Sequence, residues 1–249
     1  MSFDYSDAPY SIPDYKADAH RGAWAYMAKP GSWWSGADRL AIAAASRAAH
    51  DCALCLERKA ALSPNAVSGS HDGPAGGLPE KVVDAVHRIT TDPARLTRTF
   101  VEGLLEEDVF TYGHYVEMVS LIVNLISIDS LHKALDLPLE ALPEPEPGEP
   151  DGYLPPGASI DVAWVPMIYP ENLSDREDDI YLGAPRMGHV IRAMSLVPDA
   201  VRWLNNLSTA HYLPLNEVGD FSKEGKLTLS RMQTELVASR TSYYNDCFY

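Results

Sequence analysis

The stretch that decides the fold runs from Gly113 to Leu135 and reads GHYVEMVSLIVNLISIDSLHKAL. It contains no proline, and its polar residues are few. A helix that is apolar around most of its circumference is normally buried by its neighbours. The stretch therefore predicts a central, mostly buried helix. Its apolar part, Val116 to Ile128, is interrupted by Glu117 and Asn124 and is too short to span a bilayer.

Shorter segments on both sides of this helix also have a helical pattern. Good helix formers are concentrated from Leu40 to Ala45, and a last helix is expected over about residues 230–244. Further helices are expected over Val82 to Ile89, from Asp92-Pro93 towards Leu105, from Val190, and through Trp203 and Leu207. Alternation with a period of two is almost absent, so the sequence predicts an all-α fold.

Composition divides the chain into four regions. Residues 1–30 carry aromatic side chains among prolines and predict an extended N-terminal arm, and residues 31–141 predict a first helical repeat with a Cys-x-x-Cys motif. Residues 142–165 are proline-rich and acidic and predict a stiff, extended connector that does not pack. Residues 166–249 predict a second, unequal repeat, because Ala-Ser-Arg precedes an Asp-Cys pair in both halves.

Charge, the first residues and the cysteine count indicate which partners and which location to expect. The 249 residues carry 20 basic and 35 acidic side chains, a net charge of −15. Binding to nucleic acid needs a cationic face, so a nucleic-acid partner is not expected. The first residues lack the pattern of a signal peptide, and three cysteines do not form a disulfide framework. We therefore expect a cytoplasmic protein with no membrane partner.

Cys52 and Cys55 are the first candidate site. Residues three apart lie on one face of a helix, and Asp51 is a good N-cap that would place Cys52 in the first turn and Cys55 one turn further. The positive end of a helix favours the reactive thiolate. Redox use, metal use and burial as small core residues all remain open for such a pair.

A metal site is not expected from the sequence. Zinc needs four ligands, and beyond the pair only Cys247 and scattered histidines such as His50 and His71 remain. His87 and the other histidines are expected to be structural. We therefore expect no metal ligand and no cofactor.

A second motif leads to a family. Glu235 precedes Cys247 by twelve residues, and Asn245 stands just before the cysteine. This arrangement resembles the pattern E-x11-C-x-x-C-x3-H of the alkylhydroperoxidase D and carboxymuconolactone decarboxylase family. The first half, through Trp33-Trp34-Ser35-Gly36 and the Asp51 to Cys55 segment, resembles the divergent first copy of a two-repeat, alkylhydroperoxidase-related branch that includes selenoproteins.

The resemblance implies an alkylhydroperoxidase D-like helical bundle in which a cysteine pair reduces hydroperoxides while a glutamate and a histidine relay protons. Glu235 would be the carboxylate and Cys247 one thiol, and we expect Glu235 to point into a pocket that contains Cys247. The first copy keeps both cysteines but has Leu40 at the glutamate position and Lys59 at the histidine position. Neither half is therefore a complete family site.

The family's second cysteine would fall at position 250 and its histidine at position 254, after the final Tyr249. One hypothesis is that codon 250 is UGA, read as selenocysteine in the native organism. A shortened sequence or a degenerate gene are the alternatives. Asp246 is expected to cap a helix at Cys247, and the last residues are expected to be frayed or held by Phe248 and Tyr249.

The leading hypothesis is a thiol, or selenol, peroxidase-like oxidoreductase. Its candidate catalytic residues are Cys52, Cys55, Glu235 and Cys247, and its expected partners are a peroxide substrate, a thiol reductant and a second copy of the chain, with a homodimer favoured. The alternatives are a catalytically inactive helical protein with an assembly role and a decarboxylase-like lyase. Whether this chain is itself an active enzyme stays open at this point.

Overall fold

The computed structural model describes residues 3–106, 110–245 and 247, and half of the chain is helical. Among these residues, the first half contains six α-helices: α1 (Asp14–Ala28), α2 (Gly36–Ala49), α3 (Ala53–Ala60), α4 (Glu80–Thr91), α5 (Arg98–Leu105) and α6 (Tyr112–Ala134). The second half contains the short antiparallel strands β1 (Ala158–Ser159) and β2 (Met167–Ile168), followed by α7 (His189–Arg192), α8 (Pro198–His211) and α9 (Arg231–Tyr244). The predicted helical class is confirmed, with this two-stranded sheet as its exception among the described residues.

The central helix is α6, as predicted from its composition. It packs against α1, α2, α4 and α8. Five of its apolar side chains are at most 1% exposed: Met118, Leu121, Ile122, Leu125 and Ile128. Within the described residues, α6 is the one helix that is long and apolar enough to cross a membrane. More than half of its most apolar window is buried inside the protein, and core helices commonly meet the same criterion.

Two ion pairs join α2 to α6. Arg39 lies 3.3 Å from Glu117, and neither side chain is exposed to solvent. In the last turn of α2, Arg47 donates two hydrogen bonds of 2.8 Å to the carboxylate of Asp129. A buried charge is tolerated only with a partner, so these pairs fix the position of α2 on the core.

The extended arm predicted for residues 1–30 is wrong from Asp14 onwards, where α1 begins. Ala23, Trp24 and Met27 lie on one face of α1 and join the main hydrophobic core. Of the aromatic residues that suggested an arm, Trp24 and Tyr26 are therefore buried side chains of α1, whereas Tyr10 is exposed and precedes the helix.

The proline-rich connector is extended, but the expectation that it does not pack is wrong. Residues 137–155 contain no helix or strand. Even so, the Glu146 amide donates to the carbonyl of Ala28, and the Gly152 amide donates to the carbonyl of Ser32, each at 2.8 Å. Prolines remove amide donors but leave the remaining groups free to pair, and here they pair with the end of α1 and the loop that follows it.

One helix boundary differs from its prediction, and the last helix agrees. Pro93–Arg95 forms a short 3₁₀ turn, and α5 begins only at Arg98, where the Thr97 hydroxyl caps it. The last helix begins as expected, with Ser230 and Gln233 forming a reciprocal cap. A proline restricts the residue before it, so a turn at Asp92-Pro93 is a common outcome.

The packing of Glu117 predicts a large difference between two glycine substitutions. A Cβ atom at Gly31 would lie 1.8 Å from Glu117 Oε1, whereas one at Gly103 would meet nothing within 4 Å. We expect Gly31→Ala to lower the free energy of unfolding by more than about 2 kcal/mol, because the carboxylate must leave Arg39. Gly103→Ala should leave it unchanged or raise it by about 0.5–1 kcal/mol. Urea unfolding measures the free energy of unfolding of both variants. Equal unfolding midpoints for Gly31→Ala and Gly103→Ala would contradict the burial of Glu117 against this loop.

Candidate functional site

The candidate site lies where α3 meets α4, next to the end of α2. Cys52 and Cys55 come from the start of α3, His71 from the loop before α4, and His87 from α4 itself. One ligand atom from each of these four side chains lies within 4.8 Å of all the others. We refer to these residues as the four-residue cluster.

The local backbone explains the position of the two thiols. Cys52 is the N-cap of α3 in an extended conformation, and Cys55 lies in the first turn. The predicted cap, Asp51, is wrong: Asp51 is exposed in the turn after α2. Asp72 from the following loop caps the helix instead, since its carboxylate accepts a 2.9 Å hydrogen bond from the amide of Ala53.

The imidazole of His71 lies between the two sulfur atoms. Its Nδ1 is 3.6 Å from Sγ of Cys52 and 3.6 Å from Sγ of Cys55. Nδ1 of His87 is 3.3 Å from Sγ of Cys55, and the backbone amide of Asp72 donates to Sγ of Cys52 at 3.4 Å. Each sulfur therefore contacts at least one imidazole nitrogen.

Asp84 on α4 holds His71 from behind. Nε2 of His71 is 2.9 Å from one oxygen of Asp84. Arg58 donates to the same oxygen at 2.5 Å, and Arg88 donates to the other oxygen at 2.9 Å. This carboxylate fixes the ring so that its other nitrogen faces the thiols.

These contacts shift the two thiols in opposite directions. Burial alone would raise the pKa of Cys52, but hydrogen bonds from the amides of Asp72 and Cys55 and from His71 outweigh it and lower that pKa to about 7. Burial raises the pKa of the Cys55 thiol to about 12, and the neighbouring Cys52 adds to this rise. At neutral pH the negative charge of the pair is therefore concentrated on Cys52.

The two imidazoles also differ. Burial opposes protonation of His71, but its hydrogen bonds to Asp84 and Cys52 outweigh burial and raise its pKa. Burial and the adjacent His71 lower the pKa of His87 to about 4. Burial would raise the pKa of Asp84, yet its bonds to His71 and Arg58 lower it to about 2. The cluster thus combines a thiolate, an imidazole that holds a proton readily and a neutral imidazole.

The cluster is shielded from solvent. The exposed fraction is 0% for Cys52, 3% for Cys55 and 1% for His87. Beside Cys55 there is a cavity of about 10 Å³, lined in part by Arg58, Arg88 and Thr91. Such a volume holds about one water molecule, so only a very small reactant fits without local opening.

The structure does not bring Glu235 and Cys247 together. The carboxylate of Glu235 accepts hydrogen bonds from Arg231, at 2.6 Å, and from the hydroxyl of Tyr212. Cys247 is exposed, and no described hydrogen bond or ion pair joins it to Glu235. The predicted pocket contact of Glu235 is therefore corrected to an ion pair within α9. Asp246, Phe248 and Tyr249, on which the predicted C-terminal cap and packing depend, lie outside the described residues.

The sequence does not single out the two histidines that complete the cluster. It predicts a structural His87, leaves His71 among scattered histidines and predicts no metal-ligand set, yet two cysteines and two histidines converge here. A usable signal was present on α4, where Asp84, His87 and Arg88 form a polar row at helical spacing on an otherwise valine-rich helix. Lys59, at the family's histidine position, is exposed.

The arrangement supports two kinds of chemistry. An imidazole between a low-pKa thiol and an anchoring carboxylate can move a proton during thiol redox reactions. Two sulfurs and two imidazole nitrogens can also hold a metal ion. Comparison with protein-family models, curated proteins and solved structures gives no match.

The cap of α3 gives a matched pair of substitutions. Asp72→Ala removes the carboxylate that accepts from the Ala53 amide and should lower the free energy of unfolding by about 1 kcal/mol. Asp51→Ala removes the cap that the sequence predicted and should change it by less than about 0.5 kcal/mol, because Asp51 is exposed. Chemical denaturation of both variants measures this difference. A larger loss of unfolding free energy for Asp51→Ala than for Asp72→Ala would show that Asp51, not Asp72, caps α3.

Proposed function

We propose that this protein is a dithiol oxidoreductase that reduces small hydroperoxides at Cys52 and Cys55, on an alkylhydroperoxidase D-like helical bundle. One observation carries the proposal. His71 lies 3.6 Å from both sulfur atoms while its second nitrogen is held by Asp84. A thiol pair with an oriented proton carrier is the minimum set of groups for this reaction.

In the first half, the positions that match the family's motif supply no proton relay, since Leu40 and Lys59 occupy its glutamate and histidine positions. His71 and Asp84 supply the same two group types from a loop and from α4. A histidine and a carboxylate therefore stand beside the one complete cysteine pair. This supports an oxidoreductase over a lyase, which has no use for a paired dithiol.

In the proposed reaction, the Cys52 thiolate attacks one oxygen of the hydroperoxide. A sulfur–oxygen bond forms, the oxygen–oxygen bond breaks, and the leaving alkoxide takes the proton held by His71. The Cys55 sulfur then attacks the Cys52 sulfenic acid, forming a disulfide. The hydroxyl leaves as water, with the proton of the Cys55 thiol. In sum, two thiols and one hydroperoxide give a disulfide, an alcohol and water, and an external dithiol reductant restores both thiols.

The surroundings of the cluster suggest the class of substrate. The cavity beside Cys55 has room for about one water molecule, and Cys52 is not among its lining residues. A peroxide therefore reaches the Cys52 sulfur by local opening, which favours hydrogen peroxide over bulky lipid hydroperoxides. A dithiol reductant and a second copy of the chain are the proposed partners, as in the resembled family. Hydrogen peroxide is therefore the appropriate first probe.

The test uses reduced, chelator-treated protein with Cys247→Ser as background, because Cys247 is exposed and would react by itself. We expect one equivalent of hydrogen peroxide to remove two thiols per chain and to form a Cys52–Cys55 disulfide, seen by peptide mass spectrometry. Cys52→Ser should abolish the disulfide. Asp84→Asn should slow its formation about 10- to 100-fold, because the proton carrier is no longer oriented.

Asp199→Asn is the matched control, because it also removes an aspartate from an ion pair, with Arg202 on α8. Its rate should equal that of the background protein. If both thiols remain after unfolding in a thiol assay, the peroxidase proposal is wrong and the alternative of a non-catalytic helical protein is favoured. An equal slowing in the Asp199 and Asp84 variants would remove the role proposed for the His71–Asp84 pair.

A further inference from the structure

The spacing of the four-residue cluster matches a specific coordination geometry. In a tetrahedral zinc site, a Zn–S bond of about 2.3 Å and a Zn–N bond of about 2.0 Å place each sulfur about 3.5 Å from each nitrogen. The sulfur–nitrogen distances here are 3.6 Å for Cys52 to His71, 3.6 Å for Cys55 to His71 and 3.3 Å for Cys55 to His87. Three of the six edges of such a tetrahedron are therefore close to the expected length, and all four ligand atoms lie within 4.8 Å of one another.

We propose that Cys52, Cys55, His71 and His87 bind one thiophilic divalent cation, best matched by Zn²⁺, through two sulfurs and two Nδ1 atoms. The set contains no oxygen donor, so Ca²⁺ and Mg²⁺, which need oxygen ligands, do not fit. Four protein ligands leave no open position, which is the arrangement of a structural rather than a catalytic zinc centre.

The groups around the cluster are those that a metal centre needs. Ligating histidines usually donate their second N–H to a carboxylate, and Nε2 of His71 is 2.9 Å from Asp84. That contact leaves Nδ1 of His71 free to face the ion. The backbone amide of Asp72 donates to Sγ of Cys52, which stabilises a ligating thiolate.

The charges come close to balancing. Two thiolates neutralise a divalent ion, and Arg58 and Arg88 exceed the charge of Asp84 by one, so these groups together carry one positive charge. A buried cluster of this composition would therefore carry little uncompensated charge when the ion is bound.

Hydrophobic packing contributes little at this corner of the protein, which is joined mainly by the polar contacts of Asp72 and Asp84. The local hydrophobic cluster consists of Cys52, Leu54 and Cys55, with Val67 packed against it. The loop between α3 and α4 contains four glycines and is mostly exposed. A bound ion would tie this loop to both helices through His71, so metal binding would contribute directly to folding of the corner.

Metal binding and peroxide reduction would compete for the same sulfurs. A thiolate bound to zinc has its lone pair engaged, and a disulfide cannot hold the ion. The zinc-bound form would therefore be protected, and oxidation would release the ion. This consequence rests on the proposed function, whereas metal binding itself does not.

The experiment is a Co²⁺ titration of reduced, metal-free protein in the Cys247→Ser background, followed by displacement with Zn²⁺. We expect one Co²⁺ per chain, with a sulfur-to-cobalt charge-transfer band and the intense visible bands of a tetrahedral site. His87→Ala should weaken binding at least 100-fold, because a ligand is lost. Asp84→Asn should weaken it about 10- to 100-fold by freeing His71. His189→Ala, an exposed histidine on α7, is the matched control and should bind as the background does.

Circular dichroism of each variant shows whether it is folded, and the background protein alone decides the stoichiometry. Absence of the charge-transfer band there, or an unchanged Co²⁺ affinity in His87→Ala, would overturn the site. Zinc binding without any peroxide reaction in the metal-free protein would remove the proposed function and keep the metal site. An equal peroxide rate with and without zinc would remove only the competition between them.

Discussion

The rest of the structure depends on the charge pairing of α2 with the buried helix α6. Arg39 and Glu117 are both fully buried, and Arg39 also donates to the carbonyl of Lys29 at 2.6 Å. Burial raises the pKa of Glu117 to about 7, although Arg39 and backbone amides favour its charged form. Removing one member of such a pair typically costs about 3–5 kcal/mol, because the other charge is left buried alone. The pairing therefore fixes the register of α2 on the core.

The candidate site follows from that register. Arg47 holds the last turn of α2 to Asp129, so the chain leaves the core at a fixed point only a few residues before Cys52. α4 packs on α2 and brings Asp84 and His87 to the same corner. The loop between them then has to place only His71, and Asp72 secures it by capping α3. The proposed redox chemistry and the proposed metal binding would both use this one arrangement, and they differ in whether the sulfurs react with an oxidant or hold an ion.

Sequence reasoning predicted the features that depend on local pattern. The burial of α6, the amphipathic α4 and the Ser230 start of α9 were readable because each follows from composition, periodicity or a cap. The cysteine pair was readable for the same reason.

The features that the sequence does not predict depend on tertiary contacts. His71 and His87 are each sixteen residues from the preceding ligand. This spacing matches no local motif, and the ligands meet only because α3 and α4 pack together. The cap of α3 was misassigned because the true cap arrives from a loop, nineteen residues beyond Ala53. Glu235 was misplaced because the family pattern gave no weight to Arg231, one turn away on the same helix.

The central claim is that two sulfurs and two imidazoles converge at one point, and X-ray absorption fine structure of the zinc-loaded protein tests it most directly. The account predicts a four-coordinate zinc with about two sulfur neighbours near 2.3 Å and about two nitrogen neighbours near 2.0 Å, with the multiple scattering typical of imidazole. A shell of oxygen or nitrogen alone, or one of four sulfurs from two chains, would contradict it.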